Sequence, residues 1–172
     1  GFSIGARVPL SRSKKLCRIS NRSPEGREKI TMYFHLSPQQ KELLKDTVRL
    51  MKDSDYHRNM SIEKMRTYIL GPLIHGKLLV ARDDNGEPFS FCTYAFLSPD
   101  RESRYMDDPS CLEISDFESE DGTLWCIDFA APYGGCRFII RGMREFFEQT
   151  YGEGTKARIF RTRKNRYGWM IS

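Results

Sequence analysis

Apolar residues recur along the chain with two distinct periods, and the switches between them outline the elements. Leu43, Leu44, Val48 and Met51 form one stripe at helical spacing. Ser37, Pro38 and Gln40 ahead of it make a capping box with proline at the first helical position, which predicts a helix from about Pro38 to Lys52. Ile62, Met65 and Ile69 predict a second helix after Ser61, stopping at Gly71-Pro72 because proline disfavours helix in the residue before it. The period then shortens. The run KLLVARD, the turn residues Asp84, Asn85 and Gly86, and the run PFSFCTYAFLS predict a β-hairpin whose return strand is apolar on both faces. Residues 100–122 are acidic and irregular, with one helical turn expected near Arg104 to Asp107. The run TLWCIDFAA is an apolar strand broken by one acid, Asp128, and leads through Pro132-Tyr133-Gly134-Gly135 into a helix from about Cys136 to Thr150. The stripe of that helix is Phe138, Ile139, Met143, Phe146 and Phe147. A last strand is expected at Ala157 to Thr162.

The order helix, helix, hairpin, strand, helix, strand predicts a single α/β domain. Strands on either side of a crossover helix lie parallel and a hairpin is antiparallel, so the sheet is mixed, with helices on its faces. This outline resembles the GNAT acyltransferase fold. Residues 1–36 mix Arg, Lys, Ser, Gly and Pro without apolar periodicity and read as a basic extension preceding a domain at 37–172.

Composition narrows the classes. With 172 residues, 39% hydrophobic and 30% charged, one soluble globular domain is expected. No apolar run has the length of a membrane span and the opening GFSIGARVPL lacks a secretory signal, so a cytoplasmic location is the default expectation. Cys17, Cys92, Cys111, Cys126 and Cys136 are scattered and odd in number, which suits a reducing compartment and gives neither a disulfide framework nor a metal site. The net charge of +5 is unevenly spread: a basic start, an acidic middle, and a basic end from Lys156 to Arg166 that would steer an acidic partner or simply solvate the surface.

Two residues stand out chemically. Asp128 lies among Leu124, Trp125, Ile127 and Phe129, where a carboxylate costs several kcal/mol to bury without a partner. A structural role, capping the next helix or binding an arginine, would also supply one. His57 lies in the polar loop Ser54-Asp55-Tyr56-His57-Arg58-Asn59. Imidazole, with an ordinary pKa of ~6.5, accepts a proton near neutral pH, and a carboxylate on its other nitrogen fixes the tautomer and balances the cation. Ser54, three residues earlier, would share one side of a helical turn with His57 and orient it or bind a carbonyl. No GxSxG elbow exposes that hydroxyl, which favours direct transfer over a covalent serine intermediate. Cys126 would share a face with Asp128 if the strand were regular. Gly134 and Gly135, at a strand-to-helix junction, would leave backbone N–H groups free for a phosphate or a carbonyl oxygen, or else simply make a turn. This glycine loop is short for a coenzyme A site, which points to a donor carried on a protein.

Several strings together resemble the toxin-activating lysine acyltransferases, the enzymes that mature RTX cytolysins. They are His57-Arg58-Asn59, LLVARDDNGEPFSFCTYAFLS, Arg104-Tyr105-Met106-Asp107-Asp108 and, most specifically, Trp125-Cys126-Ile127-Asp128-Phe129-Ala130-Ala131-Pro132-Tyr133-Gly134. The likeness runs from Ser54 to Arg163. It implies a GNAT-like fold, with His57 and Asp128 catalytic, Ser54 associated with function and Tyr105 at a matching position. It also implies acyl transfer from the phosphopantetheine arm of acyl carrier protein to the ε-amine of internal lysines of an acceptor protein, with no tightly bound cofactor or metal. The ends of the chain depart from the family's pattern, which leaves dimerisation and acceptor choice open. A homodimer is among the expectations. Two other readings compete: an acyltransferase acting on a small amine, as acyl-homoserine-lactone synthases do, and a non-enzymatic module whose basic ends bind nucleic acid, for which no recognised motif is present.

Overall fold

The computed structural model describes residues 36–161 and the short strands β1 (Ser3–Ile4), β2 (Ser20–Arg22), β3 (Glu28–Ile30) and β8 (Arg166–Met170). The remaining residues, and the side chains of these four strands, lie outside the description, as does the end of the expected last strand at Thr162.

Helix α1 (Pro38–Asp53) begins as its sequence dictates. Ser37 accepts from the Gln40 backbone N–H, and Gln40 Oε1 accepts from the Ser37 N–H at 2.9 Å. Leu50 and Met51 are buried and fix its last turn against the sheet. The second helical segment departs from expectation. It runs as α2 (Ile62–Met65), a π-helical turn (Arg66–Leu70) and α3 (Gly71–Ile74), so the expected stop at Gly71-Pro72 is corrected to Ile74. The Gly71 N–H bonds to the Arg66 carbonyl, five residues back. The wider turn moves the carbonyl that a proline ring would strike in a regular α-helix, and Pro72 passes through.

The hairpin is β4 (Leu78–Arg82) and β5 (Pro88–Leu97), antiparallel, with its register shifting at Arg82. Helix α4 (Pro99–Asp107) extends the single expected turn to nine residues, with Ser98 as N-cap. A 3₁₀ turn (Ile114–Phe117), β6 (Thr123–Ala130), α5 (Cys136–Tyr151) and β7 (Ala157–Arg161) complete the main body. Among the described residues six strands form one sheet in the order β1-β4-β5-β6-β7-β8, and β2 pairs with β3 separately. The β6–β7 pair is parallel across helix α5 and the other pairs in the sheet are antiparallel. The expected mixed α/β sheet is observed, and its order is compatible with a GNAT-like arrangement. Strand β8 starts where the basic stretch Lys156 to Arg166 ends, in a segment where no strand is expected from the sequence.

Strand β5 is buried on both faces because helices cover both. Cys92, Tyr94 and Phe96 meet Ile139, Met143 and Phe147 of α5. Phe91 packs with Leu50, Ile69 and Leu73 on the opposite face, and Ala95 and Leu97 pack there with Tyr105, Phe117 and Trp125. Phe138, read as part of the α5 stripe, is instead 64% exposed.

Glycine is required at one tight junction. Gly122 enters β6 at φ 118°, and a Cβ there would overlap the Leu97 carbonyl. Gly122→Ala is therefore expected to cost about 3 kcal/mol from strain and overlap together, read as a lower denaturant midpoint with an unchanged slope. On the same side of the fold Glu102 accepts from the Trp125 indole N–H at 2.7 Å, the Arg158 guanidinium at 2.9 Å and Thr123 Oγ1 at 3.2 Å. It ties α4 to β6 and β7.

Candidate active site

On the α1 face of the sheet a cleft of about 500 Å³ opens, floored by β6 and β7. Its walls include Met60, Lys64 and Tyr68 on one side and Tyr105 on the other.

His57 enters this cleft because α1 ends at Asp53 and the chain turns at once. Both the His57 and the Arg58 N–H groups bond to the Ser54 carbonyl, at 3.1 and 3.0 Å, which puts the Ser54 and His57 side chains on one side of the turn. Ser54 Oγ lies 2.7 Å from His57 Nδ1, and His57 Nε2 lies 2.9 Å from Asp128 Oδ1. Asp128 Oδ1 also accepts the Phe129 backbone N–H at 2.9 Å. His57 is 3% exposed, held edge-on between the Tyr56 and Phe91 rings at centroid distances of 4.9 and 5.2 Å. An ionised carboxylate only accepts hydrogen bonds, so the neutral imidazole carries its proton on Nε2, toward Asp128. Nδ1 is then the basic atom, and the Ser54 hydroxyl donates to it.

A bulge in β6 sets the direction of Asp128. Thr93 of β5 pairs with Asp128, but Tyr94 pairs with Cys126, leaving Ile127 as an extra residue. Adjacent residues of β5 point to opposite faces, so Cys126 and Asp128 do too. The expectation that these two share a face is corrected: the strand is not regular between them. The Cys126 side chain packs with Leu79, Cys92 and the α5 residues, 3.3 Å from Cys92 Sγ. Burial, and after it the bond to Cys126, pushes the Cys92 thiol well above its ordinary pKa, which leaves it protonated and unreactive at neutral pH.

Other expected site residues divide. Tyr105 is 2% exposed, lines the cleft and meets the Trp125 ring edge-on at 5.2 Å. Gly134 and Gly135 do not reach the cleft wall, which ends at Ala131. They are exposed, with φ of 87° and 77°, and Gly135 caps α5. Tyr68, missed in the sequence, donates to the Pro109 carbonyl at 2.8 Å, and burial raises its hydroxyl pKa to about 12, so it stays a neutral donor. His75 lies outside this cleft and burial lowers its pKa, while His35 is outside the described residues. The described residues hold no cluster of three or more metal-ligating side chains and no helix long and apolar enough to cross a membrane.

The sequence pattern of the RTX toxin acyltransferase family matches residues 37–167, which include every element lining the cleft. The chain belongs to this family. It is 31% identical over 116 residues to the RTX-II toxin-activating lysine-acyltransferase of Actinobacillus pleuropneumoniae, covering 67% of this chain and 70% of that one. To the leukotoxin-activating lysine-acyltransferase of Aggregatibacter actinomycetemcomitans it is 33% identical over 106 residues, covering 62% of each. To the protein-lysine myristoyltransferase of Kingella kingae it is 30% identical over 98 residues, covering 57% of this chain and 58% of that one. The matched part thus falls short of two thirds of the second and third relatives' length. For a member of an acyltransferase family, a buried histidine between a serine and an aspartate in an open cleft is the arrangement with the clearest chemical use.

Proposed function

We propose that the chain transfers a fatty acyl group from the phosphopantetheine thioester of acyl carrier protein to the ε-amine of a lysine in an acceptor protein. The observation that carries this reading is the hydrogen-bonded run Ser54, His57, Asp128 along one wall of the cleft.

A lysine ammonium is inert toward a thioester until it loses a proton. His57 Nδ1 takes that proton, directly or through the Ser54 hydroxyl, and Asp128 balances the imidazolium that results. The neutral amine attacks the thioester carbonyl and the C–N bond forms; His57 gives its proton to the departing thiolate as the C–S bond breaks, and the second proton of the amine nitrogen then passes to His57 and on to solvent. The order of events needs no acyl-serine.

The donor side draws support from the sheet. Among the described residues β6 and β7 pair through Trp125 and Cys126 with Arg158 and Ile159, and beyond that β6 borders the cleft from Ile127 to Ala131. Backbone groups along such an edge suit the two amides of a phosphopantetheine arm. Met60, Ile127, Ala130 and Phe160 give the cleft an apolar lining for an acyl chain, with Tyr105 at its side, and 500 Å³ lies within the range of ~300–1,000 Å³ usual for small-molecule sites. In this reading no cofactor is tightly bound, and a homodimer is compatible with the chemistry.

The reading is tested by incubating the purified chain with acyl-loaded carrier protein and the protein encoded beside it, then mapping the products by mass spectrometry. An acyl amide on lysine is expected. Acylation confined to small amines, or no transfer with any acyl carrier, would overturn it.

A further inference from the structure

Thr93 lies inside the sheet with no exposed surface, and its Oγ1 makes no hydrogen bond to any described residue. A buried hydroxyl left in that state is costly, so a partner is expected within reach. The strand register identifies it. Thr93 sits directly opposite Asp128, and cross-strand partners of this kind point to the same face with their Cβ atoms ~4.5–5.5 Å apart. Asp128 spends Oδ1 on both His57 and the Phe129 N–H, while Oδ2 has no bond among the described residues. An unpaired buried donor therefore faces an unpaired acceptor. Ser90, the other buried hydroxyl in this state, lies against Ile139 and Met143 of α5, away from the acid.

We propose that Thr93 is a positioning residue for Asp128, donating to the carboxylate directly or through one water on the side His57 leaves open. The inference rests on the His57–Asp128 reading above. A carboxylate with one oxygen on His57 and the other anchored in the sheet cannot rotate away from the imidazole, and the second donor also moderates how strongly the acid holds the proton on His57. The other titratable groups around the cleft are Tyr56, Lys64, Tyr68, Tyr105 and Cys126, with Cys92 behind.

The sign of the effect follows. Removing the donor makes the carboxylate a stronger base, so it holds the imidazolium more tightly and His57 gains its charge at higher pH. The experiment follows the ring nitrogens of ¹⁵N-histidine in the full chain by NMR through a pH series, with His57→Gln to assign the signal. Thr93→Val is expected to move the His57 midpoint upward by about half a pH unit or more, a share of the strength of one hydrogen bond to a charged group. Thr93→Ala repeats the loss of hydroxyl with less steric demand, and Thr93→Ser is expected to restore the wild-type midpoint. Unmoved midpoints in both Val and Ala variants would overturn the proposal, and so would a Ser variant that shifts as far as Val, since the methyl group would then be responsible. Asp128→Asn separates the two levels: if it leaves the His57 titration unmoved, the pairing of His57 with Asp128 fails, and not the role of Thr93 alone.

Discussion

His57→Ala is expected to lower kcat for acyl transfer by about 10²–10⁴-fold, the range spanned by a general base. Its neighbours in the cleft are poor substitutes: the Tyr68 hydroxyl holds its proton until about pH 12, and the Cys126 side chain is turned toward α5. His57→Gln is the better control for packing, because it fills the space and can still donate to Asp128. The two variants are expected to lose activity alike, with KM for the acyl carrier little changed, measured as initial rates of amide formation. A glutamine variant with more than a tenth of wild-type activity would remove His57 from the role of base.

Asp128→Asn is expected to cost a comparable 10²–10⁴-fold in kcat, for a different reason. An asparagine can turn its NH₂ toward Nε2, which then becomes the acceptor and forces the ring proton onto Nδ1. The base is presented in the wrong tautomer, with its would-be acceptor atom now a donor toward Ser54. The imidazolium also loses its counter-charge. Because both residues serve one proton transfer, the double variant His57→Gln/Asp128→Asn is expected to be scarcely worse than His57→Gln alone. Additive losses would mean that Asp128 acts on the substrate rather than through His57.

The parts of this molecule that were legible in the sequence are those governed by neighbouring residues. The Ser37 capping box, the hairpin turn at Asp84 to Gly86 and the stripe of α5 each declare themselves within a few positions. Helix α4 was foreshortened although Ser98-Pro99 repeats the Ser37-Pro38 signal, because the helix is mostly polar and buries only Tyr105, so periodicity gives it no voice. The passage of α3 through Pro72 depends on a π-turn that no local pattern marks. In the site, the types of His57 and Asp128 were legible, but a sequence separation of 71 had to be spanned by the sheet before they could be seen to touch. The bulge at Ile127 was invisible for a related reason: a strand's phase is set by the strand it pairs with, and Thr93 and Tyr94 of β5 are what reveal it.

That extra residue in β6 also separates two kinds of inheritance. Upstream of Ile127, Leu124 and Cys126 answer to the α5 core, while downstream Asp128 and Ala130 answer to the cleft. Were β6 to run regularly through this point, Asp128 would fall opposite Cys92 and turn into the oily side of the sheet without any change of residue identity, whereas substitutions on the α5 side leave its direction alone. The single misfit position is accordingly the seam at which the even-numbered residues of β6 change sides, from the packed core to the cleft.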